Sequence, residues 1–152
     1  MNIIAIDPGA NGAAAIDYTV YSDIHFILSF NFKNEIENFM RAISLLKEED
    51  VETVIYFEKV HAIFSSSAKS TFSFGFNNGY IQGILRAKGF ENIKFVCPTK
   101  WQTEMNCRTH GDKNITKELA QKLNPGIKVT HANADALLIL EYAKKMEGEI
   151  DV

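Results

Sequence analysis

Five short runs of β-branched, alanyl and aromatic residues limit what this chain can fold into. Three of them, residues 2–6, 13–18 and 24–30, precede any helical pattern and are divided by Asp7-Pro8-Gly9, Gly12 and the polar residues 21–23. With spacers this short they predict an antiparallel meander. A helical pattern follows, with Ile36, Phe39, Met40, Ile43 and Leu46 at helical spacing and Asn34 placed to act as its N-cap. A fourth strand is expected over 51–57 and a fifth over 93–96, separated by a helix over about 68–88. Helices over 99–105, 114–123 and 134–146 complete the order, the last apolar almost all round and so expected to pack on the sheet. A meander followed by βα units predicts an α/β fold with a mixed five-stranded sheet and helices on both faces.

The length, 152 residues, suits one domain over residues 1–146 with a short acidic tail over 147–152. At 46% hydrophobic and 23% charged residues, the chain has the composition of a soluble globular protein. The N-terminus lacks the basic region of a signal peptide, and no apolar run is long enough to span a bilayer. Cys97 and Cys107 offer neither metal spacing nor a disulfide framework. A cytoplasmic protein with no membrane partner is the expectation. The net charge of -3 taken alone speaks against a polyanion partner, but its distribution does not. Residues 1–75 carry 10 acids and 5 bases, whereas residues 86–128 carry 9 bases and 4 acids. A local basic excess of this kind can support nucleic-acid binding.

Three acids sit where sites form. Asp7 ends the first strand, Glu58 follows the fourth, and Asp135 interrupts the apolar start of the last helix. Strand ends of open α/β sheets are the usual place for ligands. Converged carboxylates repel one another and call for a hard divalent ion such as Mg²⁺. Each acid also has an ordinary explanation: a turn residue at Asp7, an ion pair at Glu58, a first-turn helix acid at Asp135.

The order of motifs resembles the RuvC-like Holliday junction resolvases of the RNase H-like superfamily, most closely the phage-type branch. The blocks are Ile-Ala-Ile-Asp7-Pro-Gly-Ala-Asn-Gly-Ala, Tyr-Phe-Glu58-Lys-Val-His-Ala, the glycine-studded residues 73–85, Pro98-Thr-Lys-Trp-Gln, Gly111-Asp-Lys113 and His131-Ala-Asn-Ala-Asp135-Ala-Leu-Leu-Ile. The resemblance implies an RNase H-like fold and a metal-dependent endonuclease resolving four-way DNA junctions by paired, symmetric cuts. It implies Asp7, Glu58 and Asp135 as catalytic metal ligands, His131 as a further ligand or catalytic group, and Lys113 as a catalytic cation. Two Mg²⁺ ions per site, with Mn²⁺ as a substitute, and a homodimer follow from the same resemblance, as does a host-cytosol location if the chain is phage-encoded. Two departures concern the fourth ligand: Ala132 stands where bacterial members often carry a site residue, and Thr130 where phage-type members often carry an acid.

Candidate DNA contacts are Lys59, Lys69, Lys100 and Lys117, since lysine–phosphate contacts supply most affinity for DNA. His61 and Phe64 lie in the segment that in the family reaches into the junction, where an aromatic side chain can wedge between bases. Phe72 and Phe74 follow in the same segment, with core packing as the ordinary alternative; that alternative suits Phe74 better, and Trp101 also suits a core. Gly75, Gly79 and Gly83 would form a smooth stripe, facing either a second subunit or the helix's own sheet. Other readings are an RNase H-like nuclease acting on RNA–DNA hybrids or other branched DNA, and a non-catalytic DNA-binding or nucleotide-binding module. The nucleotide-binding actin-like and sugar-kinase folds need two such lobes, and this length holds one.

Overall fold

A computed structural model describes residues 1–9, 11–21, 24–49, 51–59 and 67–148. Strand β1 (Asn2–Asp7) lies at the centre of a five-stranded sheet. It pairs antiparallel with β2 (Ala13–Tyr21), which pairs antiparallel with β3 (Ile24–Asn31). On its other side β1 pairs parallel with β4 (Thr53–Glu58), which pairs parallel with β5 (Ile93–Val96). The order β3-β2-β1-β4-β5 is the mixed sheet that a meander followed by βα units requires.

Five helices cover it: α1 (Phe32–Glu48), α2 (Ala68–Ala87), α3 (Pro98–Glu104), α4 (Asn114–Leu123) and α5 (Ala134–Met146). β1 is apolar on both faces because both are covered. Ile3 and Ala5 join a core with Val54, Tyr56, Trp101 and the buried side of α5. Ile4 and Ile6 join a second core with Ile55, Phe57 and Phe39 and Ile43 of α1. Ala13 and Ala15 of β2 are fully buried on the α5 side, and small side chains there let α5 lie close to the sheet.

Several expectations shift. The N-cap of α1 is Asn31, not Asn34: its Oδ1 accepts from the Lys33 N–H at 3.0 Å, while Glu35 Oε2 accepts from the Asn31 N–H at 2.8 Å. This reciprocal cap places Asn34 within the first turn. β2 runs on to Tyr21, and β4 begins at Thr53 rather than at 51. Glu147, expected in a loose tail, accepts hydrogen bonds from the Tyr56 hydroxyl and from Lys94. Residues 149–152 lie outside the described residues. Phe72 is not core but 75% exposed, and Phe74 is half-buried. Only Ile81 and Leu85 of α2 are buried, and among the described residues a Cβ on Gly75, Gly79 or Gly83 would meet nothing within 4 Å. The glycine stripe therefore does not pack on the chain's own sheet. Among the described residues no helix is long and apolar enough to cross a membrane.

Candidate active site

The β1–β4 register aligns Ile6 with Phe57, so Asp7 and Glu58 stand side by side at the C-terminal ends of adjacent parallel strands. Alternation along each strand sends both side chains to the α5 face: Ile3 and Ala5 precede Asp7 there, and Val54 and Tyr56 precede Glu58. Asp135, in the first turn of α5, comes to the same edge. The turn after β1 is shaped to hold Asp7. The Gly9 N–H donates to Asp7 Oδ1 at 3.0 Å, and the Gly12 N–H donates to the Gly9 carbonyl at 2.9 Å. A Cβ at Gly12 would stand 2.1 Å from the Asp7 carbonyl oxygen, so no other residue fits this turn unchanged. Before α5, Asn133 Oδ1 accepts from the Thr130 N–H at 2.7 Å while its amide donates to the Lys128 carbonyl, fixing the approach to Asp135.

The three carboxylates act on one another. Burial pushes Asp7 up to about 6, opposed by the Gly9 N–H and Lys113 and reinforced by Asp135. Burial pushes Glu58 up to about 8, and the neighbouring charges of Asp7 and Asp135 add to this. Asp135 is also raised, chiefly by burial, with Thr116, Lys113 and His131 favouring its charged form. The Asp135 charge acting on Asp7, and those of Asp7 and Asp135 acting on Glu58, mark acids that share one site.

Lys113 is brought to all three acids, where its charge favours their ionised forms. It is the N-cap of α4, and Asp112 Oδ1, accepting from the Asn114 N–H at 2.9 Å, holds that turn. His131 is exposed in the turn ahead of α5 rather than on the helix, yet it stays near enough to Asp135 for its positive form to favour the carboxylate. Lys59, directly after Glu58, is exposed, and its N–H donates to the Val96 carbonyl at 2.7 Å. Lys69 and Lys100 are exposed in the first turns of α2 and α3, and Lys117 is half-buried on α4. None of these four is among the charges that shift the carboxylates. His61 and Phe64 lie outside the described residues.

Two neighbours of the acids were not visible as such in the sequence. The Trp101 indole N–H donates to Glu58 Oε1 at 2.9 Å from a fully buried ring. The only signal was that a buried tryptophan needs a partner for its N–H. Thr116, buried on α4, donates to the Lys113 carbonyl at 3.2 Å and so sits between Lys113 and Asp135.

The donor set suits a hard divalent cation: three carboxylates, with Asp135 Oδ1 buried and without a hydrogen-bond partner among the described residues. Among the described residues no three His, Cys, Asp or Glu side chains stand in a ready-made ligating array. The charges of Asp7 and Asp135 nonetheless reach their neighbours, raising Glu58, and that of Asp135 also raises Asp7.

No protein-family model and no curated protein sequence matches the chain. Solved structures do. RuvC of T. thermophilus in complex with a Holliday junction substrate superposes with a TM-score of 0.61 at 15% identity, over 97% of this chain and 96% of that one. A second Thermus thermophilus RuvC structure gives a TM-score of 0.56 at 13% identity, over 97% of both chains. The chain therefore has the RNase H-like fold seen in RuvC.

Proposed function

We propose that the protein is a metal-dependent endonuclease that resolves four-way DNA junctions. The observation that carries the reading is the convergence of Asp7, Glu58 and Asp135, with Lys113 facing them, at one edge of a RuvC-like sheet. Its context is that the fold neighbour was solved on a Holliday junction substrate. In this reading Asp7, Glu58 and Asp135 hold Mg²⁺, two ions per site, with Mn²⁺ able to replace it. Held by these acids, Mg²⁺ would supply the charge needed to activate a water and stabilise the leaving oxygen of a phosphodiester. His131 serves as the further ligand or moves a proton near neutral pH. Lys113 stabilises charge that develops on the scissile phosphate. Lys59, Lys69, Lys100 and Lys117 contact phosphates, and His61 and Phe64 reach toward the junction centre. Two copies act together, because a two-fold enzyme can cut two strands of a pseudo-two-fold junction symmetrically.

The test is a synthetic four-way junction incubated with purified protein and Mg²⁺. Paired nicks at symmetric positions are expected, abolished by EDTA and by Asp7→Asn. Junctions left whole, or an Asp7→Asn variant that cuts like wild type, would sink the assignment. Linear duplex, flap and RNA–DNA hybrid substrates run in parallel fix which branched or hybrid structure is preferred.

A further inference from the structure

We propose that Trp101 is a positioning residue for Glu58: it holds the carboxylate as a metal ligand and reports ion binding there. The proposal rests on the metal-site reading above. The ring is completely buried, so its N–H must find an acceptor inside the protein, and that acceptor is Glu58 Oε1. Among the described residues Oε2 accepts no hydrogen bond, which leaves it available to a ligand.

The support behind the indole is rigid. Val96 of β5 pairs with Glu58, and the Val96 carbonyl accepts from the Lys59 N–H at 2.7 Å. Cys97 and Pro98 then turn the chain into α3, where the Trp101 backbone N–H donates to the Cys97 carbonyl and the Trp101 carbonyl accepts from the Met105 N–H at 2.9 Å. The strand that registers Glu58 is thus tied by a short connection to the helix that clamps its side chain. Partners that orient a ligating carboxylate typically change metal affinity by about 10–100-fold when removed. A fully buried side chain makes no contact with DNA, so this role is confined to the ion site.

Trp101 is also the chain's single tryptophan, so all tryptophan emission comes from the residue bonded to Glu58. With excitation selective for tryptophan, Mg²⁺ titration of the wild-type protein should shift its emission with the same dissociation constant that calorimetry gives. Trp101→Phe keeps an aromatic body but loses the N–H. It should bind Mg²⁺ about 10–100-fold more weakly by calorimetry. Its kcat on junction DNA should fall at subsaturating Mg²⁺ and recover with excess Mg²⁺, with KM for the DNA unchanged. Should Trp101→Phe fail to fold by circular dichroism, the wild-type titration decides alone. Calorimetric binding without an emission change, or a folded Trp101→Phe with wild-type Mg²⁺ affinity, overturns the proposal while leaving the metal site standing. No calorimetric binding to wild type overturns the metal reading and this proposal with it.

Discussion

Glu58 and Asp7 are held against the preference of their own chemistry. Their folded-state pKa values, about 8 and about 6, lie above the ordinary 4.5 and 3.8. Between those limits the folded protein retains protons that the unfolded chain has already released, so stability must fall as pH rises from about 4 to about 8. In EDTA, wild-type melting temperature should therefore drop between pH 5 and pH 8.5. Glu58→Gln removes the titration yet keeps an oxygen for the Trp101 N–H. It should melt at least about 3 °C higher than wild type at pH 8.5, equivalent to about 1 kcal/mol for a chain this size. Mg²⁺ should raise the wild-type midpoint and leave Glu58→Gln little changed. A wild-type midpoint that does not fall with pH would contradict the sign of both shifts. The acids themselves were legible in the sequence because each ends or interrupts an apolar run, where a charge needs a reason. The Trp101 and Thr116 contacts were not, because they join residues 43 positions apart, or on separate helices, through packing that no local pattern encodes.

At the scale of elements, α2 departs most from what its sequence suggests. Its apolar residues do not line one buried stripe. Phe72, Phe76 and Tyr80 are 75%, 62% and 47% exposed at four-residue spacing, and the rings of Phe76 and Tyr80 stack at 6.1 Å. Burying a phenylalanine is worth roughly 1.5–3 kcal/mol. Three aromatics from each of two copies could thus offset the roughly 4–15 kcal/mol that association costs. Phe76→Glu combined with Tyr80→Glu should leave the fold intact by circular dichroism and yield monomers in analytical ultracentrifugation, with paired cuts replaced by single nicks. An unchanged sedimentation coefficient would rule out α2 as the interface of the proposed dimer. Helices α4 and α5 were readable to the residue: Ile115, Leu119 and Leu123 recur at helical spacing in α4, and Ala136–Leu140 form a continuous apolar run in α5. The start of α1 was not. Two asparagines compete for the cap, and the choice of Asn31 depends on Glu35 folding back to it, with φ -129 at Glu35 breaking the helical run.

For the whole molecule, charge is unevenly distributed along the chain. Residues 33–52 carry six acids and three bases. Residues 86–128, which include β5, α3 and α4, carry nine bases and four acids. The net of -3 averages two unlike stretches, and Lys113 from the basic one is the cation whose charge reaches all three carboxylates. The candidate site also gathers residues from both ends of the chain: Asp7 from the first strand, Glu58 from the fourth, Asp135 from the last helix. α5 covers β1, β2 and β4 and supplies nine buried residues, so neither the α5-side core nor the site exists without it. A chain ending at residue 129 should be protease-sensitive and inert toward Mg²⁺ by calorimetry; a stable, ion-binding truncation would contradict this. During synthesis, the first and last acids are separated by a long wait at the ribosome. Under the proposed function, a centre divided in this way stays disarmed: the partly made polypeptide lacks a complete set of acids until the segment bearing Asp135 emerges and docks.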